Sequence, residues 1–387
     1  MRTYRGLYTG VCSYRDLELA WRKARKGKTL RGYVIEFESD LESNLNALKQ
    51  ELETFTYSPA PLTTFIVRDP KTRRISSSHF RDRVVHHALC NIIGPILEKG
   101  FIHDSFANQR NKGTHRAIMR AERFIRKVPS PEGERCGYAL KADIRHYFYT
   151  VDHSVLLKII QHKIKDSGVI WLIKRILENH KTAVQGRGMP IGNLTSQFFA
   201  NVYLHELDLF VKHKLQARYY IRYVDDFAIF HTERSQLELW KAEIDEFLTM
   251  ELKIGLHPEK SGIAALRGGI ALLGFRVFRT HRLLKRSNAK RIWKRLDAFK
   301  LRYDSGKVSR ERVMASLYGW VAYSKFADTY KLRARVLSKA EELFESSKEN
   351  NYPSSSSSEP SLESEPSSTA SGTSSKSSPS SPILTLG

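Results

Sequence analysis

Tyr220-Ile221-Arg222-Tyr223-Val224-Asp225-Asp226-Phe227-Ala228-Ile229-Phe230 decides how this chain is to be read. Two adjacent carboxylates stand between two runs of β-branched and aromatic residues. Such runs favour strands, and the break between them predicts a tight hairpin. Neighbouring side chains of a regular strand point to opposite faces. Asp225 and Asp226 therefore share a site only if the chain turns at them. Buried carboxylates without partners are costly, and a divalent cation is the usual remedy. An Asp-Asp pair alone is equally a solvated turn, so the decision rests on what surrounds it.

The 387 residues carry 64 Lys and Arg against 41 Asp and Glu, a net charge of +23, with a hydrophobic content of 41%. That is enough apolar residue for a sizeable core in two or three subdomains. The segment from Asn350 onward is Ser, Pro and Glu, which predicts disorder. It holds three Glu and one Lys, so the rest of the chain has 63 basic and 38 acidic residues and carries the positive field. A field of that size favours a polyanionic partner. No apolar run approaches the ~20 residues of a membrane span, and no signal peptide opens the sequence. Cys12, Cys90 and Cys136 are far apart and form no metal-binding pair. The expectation is a cytoplasmic protein, with nucleic acid rather than membrane as partner.

Upstream of the hairpin, residues 13 to 27 form an amphipathic pattern through Leu17, Ala20, Trp21 and Ala24. A second helix runs through Leu45, Leu48 and Leu52. Thr63 to Arg68 is a strand, Asp69-Pro70 starts a turn, and Arg74-Ile75 begins a returning strand, with Lys71, Arg73 and Arg74 clustered at the tip. Such cations suit phosphate oxygens. A helix is expected from Phe80, in which His86 and His87 lack a third ligand at metal spacing and are packing or hydrogen-bonding residues. Ser105 to His115 is polar and basic, the pattern of a loop on a nucleic-acid backbone.

Gly137 to Asp143 is a strand that ends on a carboxylate, followed by Asp152, a candidate cap for the helix through Leu156 and Ile160. Gly186 to Gln197 is a glycine-rich loop, with Ser or Thr as the expected cap of a core helix through Phe199, Val202, Tyr203, Leu207 and Phe210. Downstream come a helix over residues 235 to 250, the stretch Leu256 to Ser261, and a short hairpin from Gly269 to Phe278. Residues 281 to 348 are helical and basic, with Lys285, Arg286, Lys290, Arg291, Lys294 and Arg295 dense enough for a duplex-backbone groove.

In this order the stretches resemble a reverse transcriptase. Arg73-Arg74-Ile75 and Phe80-Arg81-Asp82-Arg83-Val84-Val85 look like the first fingers motifs. Asp143-Ile144-Arg145-His146-Tyr147-Phe148 looks like motif A, and Ile191-Gly192-Asn193-Leu194-Thr195-Ser196-Gln197 like motif B. Tyr223-Val224-Asp225-Asp226 matches motif C, Leu256 to Ser261 motif D, and Leu272-Leu273-Gly274-Phe275 the primer grip.

The resemblance implies an α+β right-hand polymerase: fingers, a palm whose antiparallel sheet carries the catalytic Asp residues, a helical thumb, and a disordered C-terminal tail. The boundaries expected are 1–135 for the N-terminal and fingers region and 136–280 for the palm, with residual fingers helices in 152–185. The thumb is expected at 281–349 and the tail at 350–387. The implied function is RNA-templated DNA synthesis by two-metal nucleotidyl transfer. Asp143, Asp225 and Asp226 would be the catalytic carboxylates. Together with the main-chain carbonyl of Ile144 they would hold two Mg²⁺ ions, or Mn²⁺ in their place.

Lys71, Arg73, Arg74, Phe148, Gly192, Gln197 and Lys260 would meet the deoxynucleoside triphosphate or template. Phe148 would exclude a 2′-hydroxyl, and Lys260 is the candidate proton donor to pyrophosphate. The implied partners are template RNA, the RNA–DNA duplex and deoxynucleoside triphosphates. About 70 residues after the primer grip leave room for a thumb and not for a ribonuclease H, endonuclease or integrase domain. Retroviral and full-length group II intron enzymes are accordingly expected to match poorly. Gln197 at the end of motif B is similar to the error-prone enzymes of diversity-generating retroelements, which work with a small basic accessory protein. A stand-alone or phage-defence reverse transcriptase is the alternative, and a catalytically idle RNA-binding protein on this fold the third reading.

Overall fold

A computed structural model describes residues 2–68, 72–128, 137–182 and 184–345. It divides into two compact units, one of residues 1–289 with 324–329 and one built on residues 290–323 and from 330 onward.

In the larger unit, helices α1 (Tyr8–Cys12), α2 (Tyr14–Ala24), α3 (Gly32–Glu38) and α4 (Leu41–Glu53) come first. α2 buries Leu17, Ala20 and Ala24, the stripe its periodicity predicts. Ser13 caps it by accepting from the Asp16 N–H. Strands β1 (Thr63–Val67) and β2 (Arg73–Ser77) pair antiparallel, with Val67 opposite Arg73. Lys71 lies outside the described residues. Helix α5 (Phe80–Glu98) runs through the core and buries His86 completely. Burial lowers the pKa of His86 to about 3, so this imidazole stays neutral in the packing role the sequence suggests.

Helix α6 (Thr114–Lys127) leads to the central sheet. That sheet has the order β4-β5-β3-β6, with β3 at Tyr138–Asp143, β4 at Tyr219–Tyr223, β5 at Asp226–His231 and β6 at Gly262–Ala265. All its pairings are antiparallel. β5 is buried from Phe227 to Phe230 rather than alternating, because neighbouring strands and packed helices cover both its faces. Helices α7 (Tyr147–Thr150), α8 (His153–Lys163), α9 (Ser167–Glu178), α10 (Leu194–Leu209) and α11 (Arg234–Met250) complete the body. Asp152 accepts from the Ser154 and Val155 N–H groups and caps α8, as its position predicts.

Three expectations are corrected. The cap residue of α10 is Asn193, not Ser or Thr. Its side-chain oxygen accepts from the Ser78 N–H at 3.0 Å, while Thr195 and Ser196 are buried in the first turn. Ser105, Phe106 and Ala107 are buried, because Phe106 N–H donates to Arg222 O and Arg222 N–H to Asp104 O. This part of the supposed surface loop extends the sheet beside β4. Finally, the hairpin β7 (Ile270–Leu272) and β8 (Phe275–Val277) gains a third strand, β9 (Arg282–Leu284), inside the stretch expected to be helical. Phe275 pairs with Leu284 there, so sheet pairing overrides a short helix-compatible run.

Among its described residues the second unit holds three helices, α12 (Arg286–Asp304, most of which belongs to it), α13 (Arg310–Ser324) and α14 (Tyr330–Glu345). Ile292, Leu296, Val313, Leu317, Val336, Ala340 and Phe344 form its core. Lys290, Arg291, Lys294 and Arg295 on α12 are all exposed. Among the described residues no helix is long and apolar enough to cross a membrane.

Candidate active site

The register of the central sheet gathers the acidic residues. β3 pairs with β5 so that Asp143 stands opposite Asp226, and β4 pairs with β5 so that Tyr223 stands opposite Asp226. Only Val224 and Asp225 are left to close the hairpin. Val224 takes a positive φ of 55°, which turns the chain there and leaves Asp225 at the tip. The Ile144 N–H donates to the Asp225 carbonyl at 3.2 Å, tying the tip to the end of β3. The backbone of Asp143 is held separately: its N–H donates to Ser261 Oγ at 3.3 Å, and its carbonyl accepts from the His257 N–H at 2.7 Å.

Two lysines partly neutralise this cluster. Lys260 Nζ lies 2.9 Å from Asp143 Oδ2, and Lys141 Nζ lies 3.4 Å from Asp226 Oδ2. Among the described residues, nothing hydrogen-bonds to the buried Asp226 Oδ1. Burial raises the Asp226 pKa to about 6, Lys141 pulls it down, and the Asp143 charge pushes it up. Asp225 is also raised, by burial first and Asp143 second, with Arg73 and Lys260 opposing.

Among the described residues no group of three His, Cys, Asp or Glu side chains is already arranged to hold a metal ion. The donor chemistry nevertheless fits one. Two carboxylates face each other across adjacent strand ends, a third sits at the turn between strands, and one buried oxygen lacks any donor. Such hard oxygen ligands suit Mg²⁺. The lysine ion pairs supply the positive charge for Asp143 and Asp226 in this arrangement, and a dication would compete with them directly.

The other expected residues are distributed unevenly. Arg73 is near enough to Asp225 to lower its pKa, whereas Arg74, the next residue along β2, acts on His180. Strand alternation sends them to opposite faces. Phe148 is half-buried on α7, and its carbonyl accepts from the Met189 N–H at 2.6 Å. Gly192 has φ 116°, and a Cβ there would lie 2.8 Å from Ile75 Cγ2. The Ser76 N–H donates to the Ile191 carbonyl at 3.0 Å, so this loop is clamped onto β2. Gln197 is half-buried in the first turns of α10. Sequence reasoning missed Lys141, which reads there as an ordinary polar strand residue, and Arg222, which is fully buried beneath the turn.

An antiparallel sheet with carboxylates converging on adjacent strand ends, packed on helices, defines a right-hand-type α+β polymerase. The chain belongs to the reverse transcriptase (RNA-dependent DNA polymerase) family, whose model matches residues 68–277. Its enzyme class is RNA-directed DNA polymerase. It is 25% identical over 279 residues to Protein YkfC of Escherichia coli, covering 62% of this chain and 72% of that one. It is 28% identical over 197 residues to the group II intron-encoded protein LtrA of Lactococcus lactis, covering 49% of this chain and 32% of LtrA. A structure of apo telomerase from Candida tropicalis aligns at 11% identity with a TM-score of 0.44, covering 61% of this chain and 59% of that one.

Proposed function

We propose that this chain performs RNA-templated DNA synthesis by two-metal nucleotidyl transfer at Asp143, Asp225 and Asp226. The reading rests above all on one observation: the sheet register sets Asp143 against Asp226 with Asp225 at the adjoining turn. These side chains and the Ile144 carbonyl would hold two Mg²⁺ ions, with Mn²⁺ able to replace them. When bound, such a pair would supply the Lewis acidity that favours attack by the primer 3′-hydroxyl and would offset charge developing on the phosphate oxygens.

The chain's own cations and apolar groups do the rest. Arg73 offers a guanidinium to the triphosphate beside Asp225; the resemblance gives Lys71 and Arg74 the same role, although Arg74 lies on the other face of β2. Phe148 packs against the sugar and excludes a 2′-hydroxyl. Gly192 keeps its loop close to β2, and Gln197 meets the nucleotide or template. Lys260, freed from Asp143, gives a proton to the departing pyrophosphate. Residues 1–135 and 152–185 would act as fingers, the remainder of 136–280 as palm and 281–349 as thumb, with the exposed cations of α12 on the duplex backbone.

The finer assignment is the error-prone enzyme of a diversity-generating retroelement, assisted by a small basic accessory protein. Gln197 supports it. The alternative is a stand-alone or phage-defence-associated reverse transcriptase; the intron-encoded names among the relatives support the shared reverse transcriptase core and favour neither finer reading. Primer extension on an RNA template tests the shared core. Synthesis should require Mg²⁺ or Mn²⁺, and Asp225→Asn or Asp143→Asn should abolish it while the fold persists. Undiminished synthesis by either variant refutes the site. Sequencing the cDNA made in cells separates the finer readings: errors concentrated at template adenines support diversity generation, and faithful copies exclude it.

A further inference from the structure

Arg222 is an arginine in the core of a sheet. Its side chain and that of Asp208 are both fully buried. The guanidinium grips Asp208 with two bonds, Nε to Oδ1 at 2.7 Å and Nη2 to Oδ2 at 2.6 Å. Tyr220 Oη adds a third bond to Asp208 Oδ1 at 2.8 Å. The remaining nitrogen, Nη1, donates to Asn201 Oδ1 at 3.2 Å and to the Val224 carbonyl at 3.0 Å. Asn201 is fixed in turn, its Nδ2 donating to the Ala107 carbonyl at 2.8 Å.

Stability does not explain this arrangement. A buried ion pair is often no more stable than well-packed hydrophobic residues of similar volume. What hydrophobic residues could not supply is the bond to Val224. This residue is β-branched and sits at φ 55°, a left-handed conformation that costs on the order of 1–3 kcal/mol outside glycine. Its carbonyl belongs to the peptide that leads directly into Asp225. A guanidinium anchored on Asp208 and Asn201 of α10 therefore fixes that peptide from below.

We propose that Arg222, anchored by Asp208 and Asn201, is a positioning residue for the catalytic carboxylates. It holds the strained Val224 peptide and so sets the direction in which Asp225 is presented to Asp143. The proposal rests on the assignment of Asp143, Asp225 and Asp226 as the metal-binding site.

The test is the double variant Arg222→Met/Asp208→Leu, which removes both buried charges together. Thermal unfolding, Mn²⁺ affinity by electron paramagnetic resonance, and primer-extension kcat and KM are measured on the full chain. The expected result is a folded protein whose kcat and Mn²⁺ affinity each fall about 10–100-fold, the usual effect of losing a partner that orients a metal ligand. The KM for the deoxynucleoside triphosphate should stay close to that of the wild type. Adding Val224→Gly, which adopts the left-handed turn without strain, should restore part of both losses.

If the double variant does not fold, Arg222→Lys keeps the charge on Asp208 but lacks the fork needed to reach Val224 as well. It should show the same losses and the same rescue. Wild-type kcat and Mn²⁺ affinity in the folded variant overturn the proposal, as does a loss that Val224→Gly leaves untouched. Asp225→Asn serves as the control. If it retains synthesis, the site assignment itself fails; if it is inactive while the network variants behave as wild type, only the positioning role fails.

Discussion

Asp226 makes the metal-free protein sensitive to pH in a direction that can be worked out. Its Oδ1 is buried without a partner, and its Oδ2 has only Lys141 at 3.4 Å. Burial lifts its pKa from the ordinary 3.8 to about 6, Lys141 opposes the rise, and Asp143 reinforces it. A group whose folded-state pKa is raised stabilises the fold while protonated. That contribution is complete below about pH 4 and disappears as the pH climbs through about 6. Two pH units at about 1.4 kcal/mol each give roughly 3 kcal/mol, an upper bound for a side chain that keeps some contact with water. Urea unfolding in EDTA at intervals from pH 4 to 7.5 measures it, with Asp226→Asn as reference. The variant cannot ionise at this position, so the stability difference between the proteins isolates Asp226 from the other acids with raised pKa values. We expect the wild type to lose about 2–3 kcal/mol relative to Asp226→Asn across this range. Mg²⁺ should remove the difference, and its binding near pH 6 should release about half a proton from this group. Parallel pH profiles for the two proteins in EDTA would refute the argument that Asp226 is held at a desolvated, under-neutralised site.

Two further outcomes follow from local geometry. Gly192→Ala places a Cβ 2.8 Å from Ile75 Cγ2 at φ 116°, so urea unfolding should show a loss of roughly 1–3 kcal/mol. If Gly192 serves the nucleotide site, the KM for the deoxynucleoside triphosphate should rise in the same variant. Asp166→Ala removes the α9 cap on the Val169 N–H and the acceptor for the Leu7 and Tyr8 N–H groups, so about 3 kcal/mol should be lost with kcat per folded molecule unchanged.

The convergence of the three carboxylates is legible in the sequence because its cues are local. Two strand-forming runs around Asp225-Asp226 require a turn there, and Gly137 to Asp143 ends on its carboxylate for the same kind of reason. Of the partners that hold the cluster, the sequence singles out Lys260; Lys141, Asp208 and Asn201 are not legible there, because each looks unremarkable in its own segment. Lys141 occupies a polar position of an alternating strand. Asp208 and Asn201 fall within Leu194–Leu209, where polar residues ordinarily mark a solvent face; instead α10 is buried almost all round. Only the pairing of β4 with β5 puts Arg222 under that helix and turns its polar positions into ligands for a guanidinium. β9 was missed for a related reason: three residues carry no periodicity, and their state depends on Phe275 across the ladder.

The position of α10 links these separate facts. Its cap residue Asn193 accepts from Ser78 at the end of β2, its middle residue Asn201 meets Arg222, and its last turn carries Asp208. From Asn193 to Asp208 the helix rises roughly 22 Å, at about 1.5 Å per residue. One helix therefore reaches from the residue after β2, the strand that bears Arg73, to the Arg222 side chain that bonds the turn bearing Asp225. The backbone freedom next to it lies at Gly192, immediately before the cap, where φ is 116° and β2 is in contact. If α10 moves as one body, a displacement of the β1–β2 hairpin would be absorbed at that glycine or carried along α10 to the Arg222 anchor. The close fit of Gly192 against Ile75 limits the first route. α10 thus joins the end of the strand that bears Arg73 to the Arg222 anchor beneath Asp225, although 152 positions of sequence separate those two residues.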